Sequence, residues 1–131
     1  MSMRVELRDE STTGEALSSF EIELSSTVVT LRDILSARIS EEVAKYNAQP
    51  SEVFRGLVQP EGSEQLLNGF KLNTRRPLDA KVQIVQACRS FERNGFIVLS
   101  ADQQIENLDQ PLELRSGQAI QFIKLIPLIG G

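Results

Sequence analysis

Apolar and polar residues alternate one for one along Met3-Arg4-Val5-Glu6-Leu7-Arg8, the two-residue period of a strand with one face buried and one face wet. A polar stretch over residues 9–19, containing Gly14, interrupts the pattern, and Phe20-Glu21-Ile22-Glu23-Leu24 resumes it. Two neighbouring strands joined by a turn-rich loop most simply form an antiparallel hairpin. From Leu31 the period changes. Leu31, Ile34, Leu35, Ile39, Val43 and Tyr46 fall near one face of a helix, opposite Arg32, Glu41 and Lys45, as expected of a helix lying on a core. Thr30 stands at the N-cap position, and Asp33 three residues on makes a weaker relative of the capping box. Pro50 disfavours helical geometry in the residue before it, so the helix is expected to end near Asn47.

The segment from about 48 to 94 carries mixed signals. Residues 53–58 suit a strand that stops at Pro60. The run Leu66-Leu67-Asn68-Gly69-Phe70-Lys71-Leu72 predicts a tight hairpin turning at Asn68-Gly69, a pair that tolerates the positive φ of a type I′ turn. Pro77-Leu78-Asp79 opens a second helix running to about Arg93, with Val82, Val85 and Cys88 or Arg89 toward its inner face. Residues 96–99 read as a short buried strand, 101–104 as a turn, and Ile105 as the start of a polar return. A connecting segment at 111–114 and a turn at Ser116-Gly117 lead to a long strand over 119–126. That strand is apolar on both faces, with Ile120 and Phe122 on one and Ile123 and Leu125 near the other, the mark of a central position in a sheet.

At 131 residues the chain suits one domain, or one domain with an elaborated insertion, and can bury a core without disulfides or metal. Its hydrophobic fraction of 40% and charged fraction of 24% are those of an ordinary globular protein. No run approaches the roughly 18 apolar residues of a membrane helix. Charges within Met1-Ser2-Met3-Arg4-Val5-Glu6 argue against a signal peptide. The single cysteine, Cys88, rules out an internal disulfide, so a reducing, cytoplasmic setting is expected. Cys88 reads either as a reactive thiol, with Arg89 the only cation close in sequence, or as a small buried hydrophobe.

Net charge is −4, and the one basic pair is Arg75-Arg76 before Pro77. Nucleic-acid binders show a larger electrostatic footprint, so neither nucleic acid nor membrane is an expected partner. Histidine is absent altogether, which removes the commonest general base and metal ligand. With one cysteine as well, a zinc site, a Cys-His pair or a Ser-His-Asp triad cannot be assembled. The 18 acidic residues show no spacing that singles out a pair. Most are expected on the solvated surface, and neither intrinsic catalysis nor a cofactor or metal is expected.

The most informative stretch is the last. Ile123-Lys124-Leu125-Ile126-Pro127-Leu128-Ile129-Gly130-Gly131 reads as a strand running without a turn into a proline-stiffened tail and a diglycine carboxylate. Glycines remove every Cβ that would collide with a narrow passage, and Pro127 fixes φ and lowers the entropy lost on docking. Six extended residues reach about 20 Å. Such an end can be threaded into another protein so that its carboxylate meets a reactive centre. There, adenylation by ATP would convert a poor acyl donor into one that a thiol can attack.

A hairpin, a crossing helix, short strands and a closing central strand, linked right-handed, predict an α+β fold. One helix crosses a mixed sheet whose first and last strands are neighbours, the β-grasp arrangement of ubiquitin-like proteins. Phe96-Ile97-Val98-Leu99-Ser100, Gln103-Gln104-Ile105-Glu106-Asn107-Leu108 and Gln110-Pro111-Leu112 resemble the third and fourth strand region of ubiquitin. Leu112-Glu113-Leu114-Arg115-Ser116-Gly117-Gln118-Ala119-Ile120, closing with Pro127-Leu128-Ile129-Gly130-Gly131, is similar to the sulfur carriers of molybdopterin and thiamine synthesis. It departs from them at Gln118, where that family usually has an acid.

The expected organisation is a single ubiquitin-like domain over 1–131, with a core of 1–47 and 95–125, an insertion of about 48–94 and a tail of 126–131. Its size and insertion make the chain similar to bacterial ubiquitin-like proteins. That resemblance implies an activating enzyme that uses the ATP, a conjugating enzyme, a JAB-type deconjugating metalloprotease and a target protein as partners. It implies Gly131 and Gly130 as the activation and conjugation site, and Leu125, Ile126, Pro127, Leu128 and Ile129 as the residues read by the activating enzyme or protease. A sulfur carrier bearing a C-terminal thiocarboxylate and a non-covalent β-grasp binding module are the alternatives. Four lysines, Lys45, Lys71, Lys81 and Lys124, could accept another copy.

Overall fold

The computed structural model describes residues 3–26, 28–66, 69–74 and 76–125. Strands β1 (Met3–Glu10) and β2 (Ala16–Leu24) form the antiparallel hairpin. A short β3 (Val28–Thr30) leads into α1 (Leu31–Ala48). The inserted segment holds the hairpin β4 (Ser63–Leu66) and β5 (Gly69–Leu72) and the helix α2 (Ala80–Glu92). Strands β6 (Phe96–Ser100), β7 (Gln103–Gln104), β8 (Pro111–Glu113) and β9 (Ala119–Lys124) follow. The main sheet runs β2-β1-β9-β6-β7, with β9 parallel to β1 and antiparallel to β6. First and last strands are neighbours and α1 packs on the sheet, so the fold is α+β and β-grasp-like.

Central placement explains why β9 carries apolar residues on both faces. Ile120 and Phe122 are fully buried under the helices, while Ile123 on the other face is half-buried. On α1 all six residues of the expected stripe are buried. The capping box is complete: Thr30 Oγ1 accepts from the Asp33 amide at 3.2 Å, and Asp33 accepts from the Thr30 amide at 2.9 Å. We expect Thr30→Ala to lower stability by about 1 kcal/mol, measured by urea denaturation. No change in the midpoint would mean that tertiary packing alone holds the helix start.

The insertion extends the core. Phe54, Leu57, Val58, Leu78, Ala87 and Phe91 join the same buried cluster as the sheet residues. Phe54 meets the Tyr46 ring edge-on at 5.4 Å. Asn47 clamps Leu78 reciprocally, donating to its carbonyl and accepting from its amide, both at 2.9 Å.

Several expectations are corrected. Residues 53–58 form no strand; only Phe54 bridges, to Phe70. Gly56, Leu57 and Val58 are buried in a row, which a two-residue period does not permit on a one-sided strand. The β4–β5 hairpin exists, but Gly69 belongs to β5 and pairs with Leu66 rather than lying in the turn. Asn68 lies outside the described residues. Gly69 serves instead at a close crossing: at φ +152°, a Cβ there would lie 2.7 Å from the Phe54 carbonyl oxygen.

A tight turn with two positive φ values occurs elsewhere, at Ala101 (50°) and Asp102 (64°), between the paired Ser100 and Gln103. That is type I′ geometry, and it makes a hairpin of the expected 101–104 turn. The connecting segment at 111–114 includes β8, which pairs with β3.

On α2 the expected inner face holds at Cys88 and fails at Val82 and Val85. Val82 and Val85 point outward and Arg89 is exposed, while Gln83, Ala87, Cys88 and Phe91 are buried. The buried set follows i, i+4, i+8 from Gln83, a phase that hydrophobicity alone does not reveal because a glutamine begins it.

Candidate functional site

Of the residues expected to act, Leu125 alone is described. It follows Lys124, the last residue of β9, which pairs with Phe96 at the start of β6. Leu125 is 37% exposed. Ile126, Pro127, Leu128, Ile129, Gly130 and Gly131 lie outside the described residues. The structure therefore defines the platform from which that segment departs.

The platform is braced by charges that sequence reasoning missed. Val5, Leu7 and Asp9 share the inward phase of β1, and all three are buried. Arg38 lies on the inner stripe of α1 and is only 1% exposed. Its guanidinium forks onto Asp9, with Nη1 donating to Oδ1 and Nη2 to Oδ2, both at 2.7 Å. Nε donates to Glu42 Oε2 at 3.1 Å, one helical turn along. The guanidinium carbon stands 5.0 Å from the Phe20 ring centroid and 4.7 Å from that of Phe122, within cation–π range.

Asp9 also accepts from Ser18 Oγ at 3.2 Å, and Lys124 Nζ approaches it at 3.8 Å. Glu42 accepts the Leu57 amide at 3.3 Å. One network thus ties β1, β2, α1, the insertion and the end of β9, and among the described residues no buried side-chain nitrogen or oxygen lacks a partner. Asp9 and Glu42 are exceptions to the expectation that most acids lie on the solvated surface; no spacing between them marks them in the sequence, and both converge on Arg38. The signal was an acid in the inward strand phase and a base on the inner helical stripe, with a second acid at i+4.

Burial disfavours the charged form of Arg38, yet its hydrogen bonds to Asp9 and Glu42 and their negative charges outweigh it and raise its pKa. For Glu42 the balance falls the other way. Burial pushes its carboxyl above the ordinary 4.5, only partly opposed by Arg38 and the Leu57 amide. A carboxyl raised by folding stabilises the fold while protonated, and that contribution is lost as pH climbs through its folded value. We expect the stability of the unaltered chain relative to Glu42→Gln to decline from pH 4.5 up through the folded pKa and then level off. Urea midpoints of the two proteins at stepped pH test this; a difference that grows more favourable to Glu42 with pH would reverse the assignment.

The remaining chemistry is tied down. Cys88 is 6% exposed, and burial raises its thiol pKa, so it packs as a small hydrophobe. The cation nearest it is Arg32, with Nη1 at 3.9 Å from Sγ, rather than Arg89. Arg32 itself is held by Asp109 through two hydrogen bonds of 2.8 and 3.1 Å. They pull the Asp109 carboxyl below its usual range. Arg76 donates to the Glu61 carbonyl; Arg75 lies outside the described residues.

Gln118 finds a use that an acid could not copy in full. Its carbonyl accepts from the Arg115 amide at 3.1 Å, and its amide donates to Ser100 Oγ at 2.6 Å. Among the described residues no group of three or more Cys, Asp or Glu is placed to hold a metal, and no helix is long and apolar enough to cross a membrane. Compared with known proteins, the chain matches no family model, no curated protein and no solved structure.

Proposed function

We propose that the chain is a ubiquitin-like protein modifier. An activating enzyme adenylates the Gly131 carboxylate with ATP, a thiol takes the acyl group as a thioester, and a target amine takes it as an isopeptide bond. The observation that carries this reading is the central β9, parallel to β1 beneath a crossing helix. It delivers the chain at Leu125 to the end of a braced sheet. Nothing in the network around Arg38 offers a reacting group, since both carboxylates are committed to Arg38 and to backbone or hydroxyl donors. Reactivity is therefore assigned to the partner proteins, with a conjugating enzyme and a JAB-type metalloprotease as the later ones. Residues 125–129 would be read as apolar anchors. The insertion favours a modifier over the small sulfur carriers, which dock compactly and have no evident use for it.

Incubation with ATP and the cognate activating enzyme is expected to give a covalent adduct that dithiothreitol reverses. Intact mass of protein taken from its native host supplies the second reading: a gain of about 16 Da, sulfur for oxygen at the acyl group, would replace the modifier by the carrier. Binding partners recovered with neither modification would leave the non-covalent module.

A further inference from the structure

We propose that the outward face of α2 is a docking surface for an acidic, apolar helical segment of a partner protein, a role beyond the proposed chemistry of the tail. Val82 and Val85 stand 46% and 50% exposed on this face. Neither folding term explains them. β-Branched residues rank below Ala, Lys, Gln or Glu in a helix interior, and their apolar surface is left in water. On the opposite side the same helix buries Gln83, 3% exposed, whose amide donates to the Val58 carbonyl at 3.4 Å. The fold thus seats a glutamine inside and leaves two valines outside, a local conflict of the kind that function resolves better than stability.

Charge indicates the partner. The insertion, residues 48–94, carries seven basic and five acidic residues, whereas the rest of the chain carries seven and thirteen. Three of those seven basic residues, Lys81, Arg89 and Arg93, lie on α2 or at its C-cap. Lys81, Val82, Val85 and Arg89 fall within about 100° of helix circumference, and Arg93 follows at the C-cap. Lys81, Arg89 and Arg93 are exposed and enter no ion pair among the described residues; Glu92 is the one acid on this side of the helix. Two apolar anchors at i and i+3, flanked by unpaired cations, match a helix with leucines on one face and carboxylates at its borders.

The test is nuclear magnetic resonance on the full chain, titrated with a synthetic amphipathic peptide of more than about 15 residues, long enough to hold a helix. The peptide carries leucines on one face and flanking glutamates; a control carries lysine at every glutamate. The acidic peptide is expected to shift the amides of residues 81–89 and to bind at least about tenfold more tightly than the control, with affinity falling as salt screens the charges. A double variant, Val82→Gln with Val85→Gln, is expected to lose that binding while its thermal midpoint stays level or rises. Shifts confined to other surfaces, equal binding of the control peptide, or a midpoint that falls with the double variant would overturn the proposal. So would concentration-dependent self-association through the same residues without peptide, which would make a second copy the occupant.

Discussion

Replacing Arg38 with alanine is expected to cost about 3–5 kcal/mol, the penalty for stripping one partner from a buried ion pair. A domain of this kind holds roughly 5–15 kcal/mol in total, so the variant should sit near the edge of folding. Asp9, 3% exposed, would be left with only the Ser18 hydroxyl and Lys124 at 3.8 Å to answer it. Glu42 would lose its Nε donor, and Phe20 and Phe122 would lose the cation near their rings. Urea denaturation measures the loss. A decrease below about 1 kcal/mol, the level of a surface pair, would show that the network is not what braces the sheet. Removing all three charges, with Asp9→Leu and Glu42→Gln beside Arg38→Met, should recover much of the loss, because a buried ion network can give way to apolar packing at little net cost.

Deleting Gly131 is expected to have the opposite profile, with function lost and fold kept. Among the described residues the core cluster ends at Phe122, and the unfolding midpoint is expected to stay where it is. Shortening an extended chain by one residue withdraws its carboxylate by about 3.3–3.6 Å. Reacting atoms must meet at about 3–3.5 Å, and a misplacement of 1 Å can already cost about a hundredfold. Formation of the thiol-sensitive adduct should therefore fall at least that far. An adduct that persisted at the original rate would remove the proposed acyl donor and leave the domain as a binding module.

These two outcomes separate what holds the molecule together from what it is proposed to present. The residues concerned differed in how they could be read. The apolar stripe of α1, its Thr30 cap and the alternation of β1 and β2 were legible because each is a local period with an unambiguous phase. The diglycine end was legible as a motif. Asp9, Arg38 and Glu42 are not legible in the same way, because charge in a sequence ordinarily marks the surface. A strand and a helix each carried one charged residue on an inner face, and neither element alone could show that the two would meet.

The insertion exposes the same limit. Val82 and Val85 suggested the inner face of α2 because hydrophobicity was the only guide available. Which face turns inward was decided by Gln83 reaching Val58 and by Phe91 packing on Phe96 at 5.9 Å. The turn at Ala101-Asp102 carries no Asn-Gly signature, and its positive φ values are imposed by pairing between β6 and β7.

By itself the amino-acid sequence determined β1, β2, α1, β6 and β9, their order along the chain, and the central rank of β9. Those follow from side-chain period and local capping, which act over a few residues. Only the tertiary structure decided the register of the inserted hairpin, the orientation of α2 and the burial of one arginine with two carboxylates. Each of these depends on what lies across a gap of many residues, where a charge is tolerated inside only if its counter-charge arrives at the same place.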